Sequence, residues 1–398
     1  MNSAILNTDV QDYINQNLKT DPATLILKGV PFNEVNAAET VEQIEAKVRC
    51  EKKLPTWFHQ SNIYYPNKLN IEQTSSELTA EYKSRIIKGK SMIDLTGGFG
   101  VDAYYFAKQF ETVTHCEWNE ELSAIVKHNF KTLKVGNINT IAEDGLSYLK
   151  NSSLDYDWIY VDPSRRHDSK GKVFFLKDCL PNIPEHLDIL WSRSKNILIK
   201  TSPLLDLTIG LNELEYVKTV QIVAVNNEVK ELLWVLEYGF AGKVNIKTVN
   251  LKNSGTEQFE FLIEDEAQVE IIYGEPLTYL YEPNSAIMKS GGFNSVAEFF
   301  KVKKLHKHSH LYTSDSLVDF PGRAFKILKS IPYNKKQIKK LSINKANITT
   351  RNFPDTVQNI RKLFKIKDGG NDYLFFTTDM NNEKTVLICT KVNPLYHL

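Results

Sequence analysis

Cysteine is scarce in this 398-residue chain, and the four present, Cys50, Cys116, Cys179 and Cys389, are too scattered to form a C-x-x-C pair. Their spacing excludes a disulfide framework and a cysteine-based zinc site, and leaves buried free thiols as the expectation. Long apolar runs are also missing, since no stretch approaches the roughly 18 residues that cross a bilayer. The opening Met1-Asn2-Ser3 lacks a basic-then-apolar pattern, so a cytoplasmic protein is expected. There is no internal repeat and no low-complexity segment.

Net charge is nearly absent as well, at +1, but the balance conceals an asymmetry. Between Lys301 and Gly370 there are 17 Lys and Arg against four acids, Asp315, Asp319, Asp355 and Asp368. A basic segment joined to an acidic remainder suits an enzyme acting on a polyanion, because Lys and Arg gain affinity by releasing counterions from phosphates. RNA is the expected partner, with Lys301, Lys303 and Lys304 among the residues that would contact it. A lysine-rich solvated surface is the plainer alternative.

At 42% apolar residues, the chain can bury a large core and should divide into two or three domains. Residues 1–85 show helical spacing, as in Ile14 and Leu18 or Val41, Ile44 and Val48, and Ser75 or Ser76 is placed to cap a helix from Glu77 to Ile87. From Ser91, strands and helices alternate, which predicts βαβ units in an α/β sheet. Val217–Val225 and Glu231–Tyr238 are spaced as a hairpin, and Val244–Val249 with Gln258–Ile263 as another. These patterns bound a domain at 86–270. Two small α+β segments, 271–325 and 326–398, follow.

The chemistry concentrates where apolar runs break off. Asp94-Leu95-Thr96-Gly97-Gly98-Phe99-Gly100 is followed by Glu117, by Asp144-Gly145 and by Asp162-Pro163-Ser164-Arg165-Arg166. Strand ends of a parallel sheet gather such residues along one edge, as in a nucleoside-cofactor site. A dinucleotide would need G-x-G-x-x-G aimed at a pyrophosphate, and Asp94 would repel that group. An acid there suits a cationic amino-acid end. The order of motifs over Ser91 to Gly239 resembles the class I S-adenosylmethionine (SAM)-dependent methyltransferases. The resemblance implies a Rossmann-like sheet, mostly parallel with an antiparallel hairpin at its end, and SAM as cofactor without a metal.

Gln73-Thr74-Ser75 ahead of the first strand, and Asp-Pro-Ser-Arg-Arg after the fourth, make the chain similar to those class I methyltransferases that carry a ferredoxin-like module and a THUMP-like C-terminal domain. On that resemblance 271–325 is the module and 326–398 the THUMP-like domain. Gln73 and Thr74 would fold over the methionine end of the cofactor, or simply precede a helix cap. Asp94, Thr96, Gly97, Gly98 and Gly100 would form the cofactor turn, Glu117 would bind the ribose hydroxyls, and Asp144 with Gly145 would meet the adenine. Trp118 would lie against the adenine face, although an aromatic at a strand end more often belongs to the core.

Asp162, Pro163, Ser164 and Arg165 occupy the catalytic position. Related enzymes have Asn/Asp-Pro-Pro-Tyr there, so this chain lacks the stacking aromatic. Arg165 and Arg166 can instead stack or bind phosphate, or pair with acids such as Asp168. Methylation of a nucleobase in ribosomal or transfer RNA is the expected function. A non-catalytic SAM- or RNA-binding module, or a methyltransferase acting on protein or a small molecule, is the alternative. Attack at pyrimidine C5 needs a cysteine, and the loops after Val161 and Lys200 have none. His306, His308 and His310 would share one strand face; with no acid or cysteine nearby, a solvated basic face is expected rather than a metal site.

Overall fold

The computed structural model describes residues 1–165 and 175–392. These form two compact units, one of residues 1–217 with 234–240 and one of residues 218–233 with 241–398.

The first unit opens with helices Thr8–Gln16, Pro22–Lys28, Ala37–Lys53, Pro55–His59, Lys68–Gln73 and Glu77–Ile86. Ala37–Lys53 starts at a capping box, with Asn36 accepting from the Glu39 amide and Glu39 accepting from the Asn36 amide. Ser76, not Ser75, caps Glu77–Ile86. The helical region is stitched to the helix Glu120–Thr132 through Asn129, whose side-chain amide accepts from the Tyr64 N–H at 3.0 Å and donates to the Tyr64 carbonyl at 2.9 Å.

A nine-stranded sheet supplies the frame. Its strands are β1 Ser91–Asp94, β2 Thr112–Cys116, β3 Ile138–Ile141, β4 Trp158–Val161, β5 Asn196–Thr201, β6 Val217–Val225, β7 Glu228–Glu237, β8 Asn245–Lys252 and β9 Gly255–Leu262, in the spatial order β9-β8-β6-β7-β5-β4-β1-β2-β3. β1 pairs parallel with β2 and β4, β2 with β3, and β4 with β5. Met92, Ile93, Val113, Ile159, Val161 and Ile197 are buried, as expected of a parallel sheet covered on both faces. The order reverses at β1, so the C-terminal ends of β1 and β4 flank a crevice where ligands of open α/β sheets bind. β6 and β7 are neighbours joined by Asn226-Asn227, both at positive φ, which is the turn geometry a two-residue hairpin requires. The second hairpin, β8–β9, extends the sheet, with β8 parallel to β6.

In the second unit a further sheet contains β10 Tyr279–Pro283, β11 Lys303–Lys304, β12 Tyr312–Ser314, β13 Gly322–Pro332, β14 Asn347–Arg351, β15 Asp372–Thr378 and β16 Lys384–Val392, ordered β11-β12-β10-β13-β16-β15-β14. One expectation fails here. Leu305–Tyr312 is not one strand, because the chain turns at His306–His310, with His310 at φ 52°, and the three histidines share no strand face. Among the described residues no group of His, Cys, Asp and Glu could hold a metal ion, and no helix is long and apolar enough to cross a membrane.

Asn129→Ala removes both ties to the Tyr64 backbone and strands a buried N–H and carbonyl. It is expected to cost about 2 kcal/mol in a urea melt. A loss under about 0.5 kcal/mol would show that this link does not hold the helical region down.

Candidate functional site

The glycine turn after β1 is shaped by what a side chain there would strike. A Cβ on Gly97 would lie 2.2 Å from the His115 ring, one on Gly100 would lie 2.6 Å from Phe130, and one on Gly145 would lie 2.3 Å from the Leu95 carbonyl oxygen. Gly98 and Gly100 also take positive φ, at 53° and 77°. The turn is pinned by the Gly97 N–H to the Cys116 carbonyl at 2.8 Å and by the Gly98 N–H to Glu117 Oε2 at 2.9 Å.

Glu117, at the end of β2, is buried and accepts a second backbone bond, from the Asn119 N–H at 2.8 Å. Each carboxylate oxygen keeps a lone pair for a further donor. Trp118 beside it is 76% exposed, so it is not a core residue and its face is open. Asp144 is exposed and caps the helix Gly145–Asn151 through the Ser147 amide and hydroxyl, all at Oδ1. Its second oxygen is directed to no described residue.

Asp94 is buried at the end of β1, and its Oδ1 accepts the Thr96 N–H at 3.0 Å. Burial raises its pKa well above the usual carboxylate value, Asp102, Asp162 and Glu117 push it further, and the Thr96 bond opposes them. Thr96 also reaches across to β4, where its Oγ1 accepts the Asp162 N–H at 2.7 Å. This one side chain couples the glycine turn to the start of the Asp162 loop.

Asp162 itself is ion-paired through Oδ2 with Lys200 from the end of β5, a residue without a motif that sequence reasoning missed. Oδ1 has no partner among the described residues. Pro163 is buried, and Ser164–Arg165 forms a two-residue antiparallel pair with Cys179–Leu180. Arg166 and Asp168 lie outside the described residues.

Gln73 is exposed and Thr74 follows the end of Lys68–Gln73; the structured contact belongs to their neighbour. Ser75 is buried, donates to Asp102 Oδ2 at 2.8 Å and accepts from Lys83 Nζ at 3.1 Å, while Tyr160 donates to the same Asp102 oxygen at 2.9 Å. Lys83 is wholly buried, and its ammonium lies 3.3 Å from Asp102 Oδ1. Asp102 sits in the first turn after the glycines, so this network fixes the approach of the Gln73–Ser75 segment to the turn.

Lys301 and Lys303 are exposed, but Lys304 corrects the expectation of substrate contact. It is buried and donates to Asn294 Oδ1 at 2.9 Å, so its ammonium is turned to the protein and not to a partner, and burial lowers its pKa.

His115, also missed from the sequence, lies wholly buried beneath Gly97, edge-on to Phe130. Neither ring nitrogen reaches a hydrogen-bond partner, although the backbone of Gly97 and Gly98 lies close enough to pull its pKa slightly upward against the burial that lowers it to about 4. Its ordinary value is 6.5. Between those values the unfolded chain takes up a proton that the folded one refuses, so stability is complete above about pH 6.5 and falls towards pH 4 by about 3 kcal/mol. Asp94, raised instead of lowered, runs the other way, so the contribution is read as a difference. His115→Gln is expected to flatten the decline in Tm between about pH 6.5 and 5 relative to wild type, and parallel curves would refute the assignment.

Residues 279–321 match a ferredoxin-like domain family and residues 322–391 a THUMP domain-like family. An uncharacterized RNA methyltransferase of Mycoplasma mobile is 23% identical over 166 residues, 38% of this chain and 44% of its own length. The chain thus spans less than half of that relative. A presumed methyltransferase of Porphyromonas gingivalis W83, solved by crystallography, is 33% identical, matches 98% of this chain and 99% of its own, and superposes with a TM-score of 0.89. On that likeness, and on the glycine turn and acids assembled above, the chain belongs to the class I methyltransferases that carry a ferredoxin-like module and a THUMP-like C-terminal domain.

Proposed function

We propose that this methyltransferase uses SAM to methylate a nucleobase in RNA. The observation that carries the reading is the set of acids around the glycine turn: Asp94, Asp102, Glu117 and Asp162 lie close enough for the last three to be felt at Asp94. Lys83 and Lys200 offset Asp102 and Asp162, and the remaining Asp94 and Glu117 disfavour a phosphate and suit a cationic ligand. Gly97, Gly100 and Gly145 let the turn pack directly on His115, Phe130 and Leu95, which brings its backbone close to the acids.

When bound, SAM supplies a methyl group on a sulfonium, with a neutral thioether as leaving group. The protein's task is then alignment. Gly97, Gly98 and Gly100 would admit the amino-acid end beside Asp94, Glu117 would take the ribose hydroxyls, Trp118 and Asp144 would meet the adenine, and Gln73 and Thr74 would cover the methionine end. Lys200 anchors Oδ2 of Asp162 and leaves Oδ1 to accept an N–H of an exocyclic amine. Pro163 fixes the backbone beside it. Ser164 follows in the chain, and on the sequence reading Arg165 and Arg166 would offer donors to a base or phosphate.

RNA is supported by the excess of Lys and Arg over 301–370, by the THUMP-like domain and by the RNA methyltransferase relative. Exposed Lys301 and Lys303 belong to that surface.

The test is transfer of labelled methyl from SAM to RNA, protein and small-molecule fractions of cells lacking the protein. Label should enter RNA. Asp162→Ala should lower turnover about a hundredfold while SAM affinity stays within a few-fold of wild type, and Lys200→Met should lower turnover less, by loosening the carboxylate. Label confined to protein or metabolites would discard the RNA substrate, and unchanged turnover in Asp162→Ala would remove Asp162 from catalysis.

A further inference from the structure

In the second unit, a concavity of about 230 Å³ is lined by Asn227, Glu282, Ser285, Arg323 and Arg351, among others. Glu282 on β10 stands directly across from Arg323 on β13. Its Oε2 accepts from Arg323 Nε at 2.7 Å and from Nη2, and its Oε1 accepts from Arg351 Nε at 3.2 Å and Nη2 at 2.8 Å. The carboxylate is almost fully buried while both guanidiniums remain partly exposed.

An ion triad joining the ferredoxin-like and THUMP-like segments explains those bonds, but not the rest of the pocket. Two guanidiniums share one carboxylate, so one positive charge is left over. Each Nη1 amino group has no partner among the described residues. Ser285 Oγ is buried and also unpartnered. Asn227 is held at φ 66°, with its N–H given to Asn250 Oδ1 at 2.8 Å and its own Oδ1 accepting the Ser285 N–H at 2.7 Å. That leaves its Nδ2 amino group to donate. The concavity therefore gathers two guanidinium edges, a hydroxyl and an amide NH₂ with surplus positive charge, and the one carboxylate lining it is consumed by the arginines.

A set of donors around surplus positive charge matches an acceptor-only anion with several oxygens. We propose that this pocket binds one phosphate group of the RNA substrate, held by Arg323, Arg351, Ser285 and Asn227. The proposal rests on the RNA reading above. It adds a defined anchoring point to a basic surface that would otherwise act diffusely.

The full chain is tested for binding of bulk cellular RNA from about 50 to 200 mM salt. Arg351→Gln and Ser285→Asp are each expected to weaken binding about tenfold and to reduce the slope of log affinity against log salt by about one. Ser285→Asp keeps the ion triad and places a carboxylate in the pocket, which covers the case in which Arg351→Gln fails to fold; thermal melts report folding for both. Inorganic phosphate should raise the Tm of wild type but not of Ser285→Asp. Phosphatase treatment of the RNA separates the sources: a difference between wild type and Ser285→Asp that survives it assigns an internal phosphodiester, and one that vanishes assigns a terminal phosphate. Folded Ser285→Asp with wild-type RNA affinity and slope overturns the proposal while leaving RNA methylation standing. Phosphate protection in a wild-type protein that neither binds nor methylates RNA overturns it in the other direction, by making the ligand free phosphate.

Discussion

The candidate methyl-transfer site depends on one hydroxyl. Thr96 gives its N–H to Asp94 and takes the N–H of Asp162 on its Oγ1, so a single side chain joins the ends of β1 and β4. Adjacent parallel strands already lie about 4.8 Å apart, but beyond their last ladder bonds nothing in the sheet requires the two following loops to keep step. Thr96 imposes that requirement. The loop that would hold the cofactor and the loop that would hold the acceptor base are thereby tied at their starts, which serves the alignment of nucleophile, methyl carbon and leaving group. Gly145 contributes from the other side, because its missing Cβ lets the loop after β3 rest against the Leu95 carbonyl.

The electrostatics follow from this closeness. Asp94 is buried with three other carboxylates nearby, and its raised pKa records the cost of keeping it there without a cation. Asp102 and Asp162 are relieved by Lys83 and Lys200, whereas among the described residues Asp94 has only the hydroxyl and amide of Thr96. The imbalance is local and directed. The acid with no cation beside it among the described residues stands at the strand end next to the glycine turn.

Much of this was legible in the sequence because each feature falls where an apolar run stops: Ile93 to Asp94, Cys116 to Glu117, Val161 to Asp162. Strand ends and glycine turns are local signals, and locality is what a single sequence preserves. Lys200 was not legible, being separated from Asp162 by 38 positions and marked only as a lone lysine closing Ile197-Leu198-Ile199. His115 was hidden for the opposite reason, as a polar residue inside a strand whose burial depends on what packs over it. The long strand β13 escaped because a register shift between Ile327 and Lys329 breaks its alternation. The three histidines misled because the left-handed residue His310 turns the chain where alternation suggested an extended strand.

The two arginine-bearing and lysine-bearing regions of the second unit differ in a way that bears on specificity. Lysines such as Lys335, Lys336, Lys339 and Lys340 are exposed along one short helix and act on a polyanion as point charges, indifferent to register. Arg323 and Arg351 are instead oriented by Glu282, which spends part of each guanidinium to fix the remainder in direction. A fixed fork can tell where along the backbone a phosphate sits; a field of mobile ammonium groups cannot. On the RNA reading, affinity from the lysines and register from the oriented arginines would together let this unit hold an RNA without reading its bases, and discrimination among nucleotides would fall to the candidate site at the strand ends.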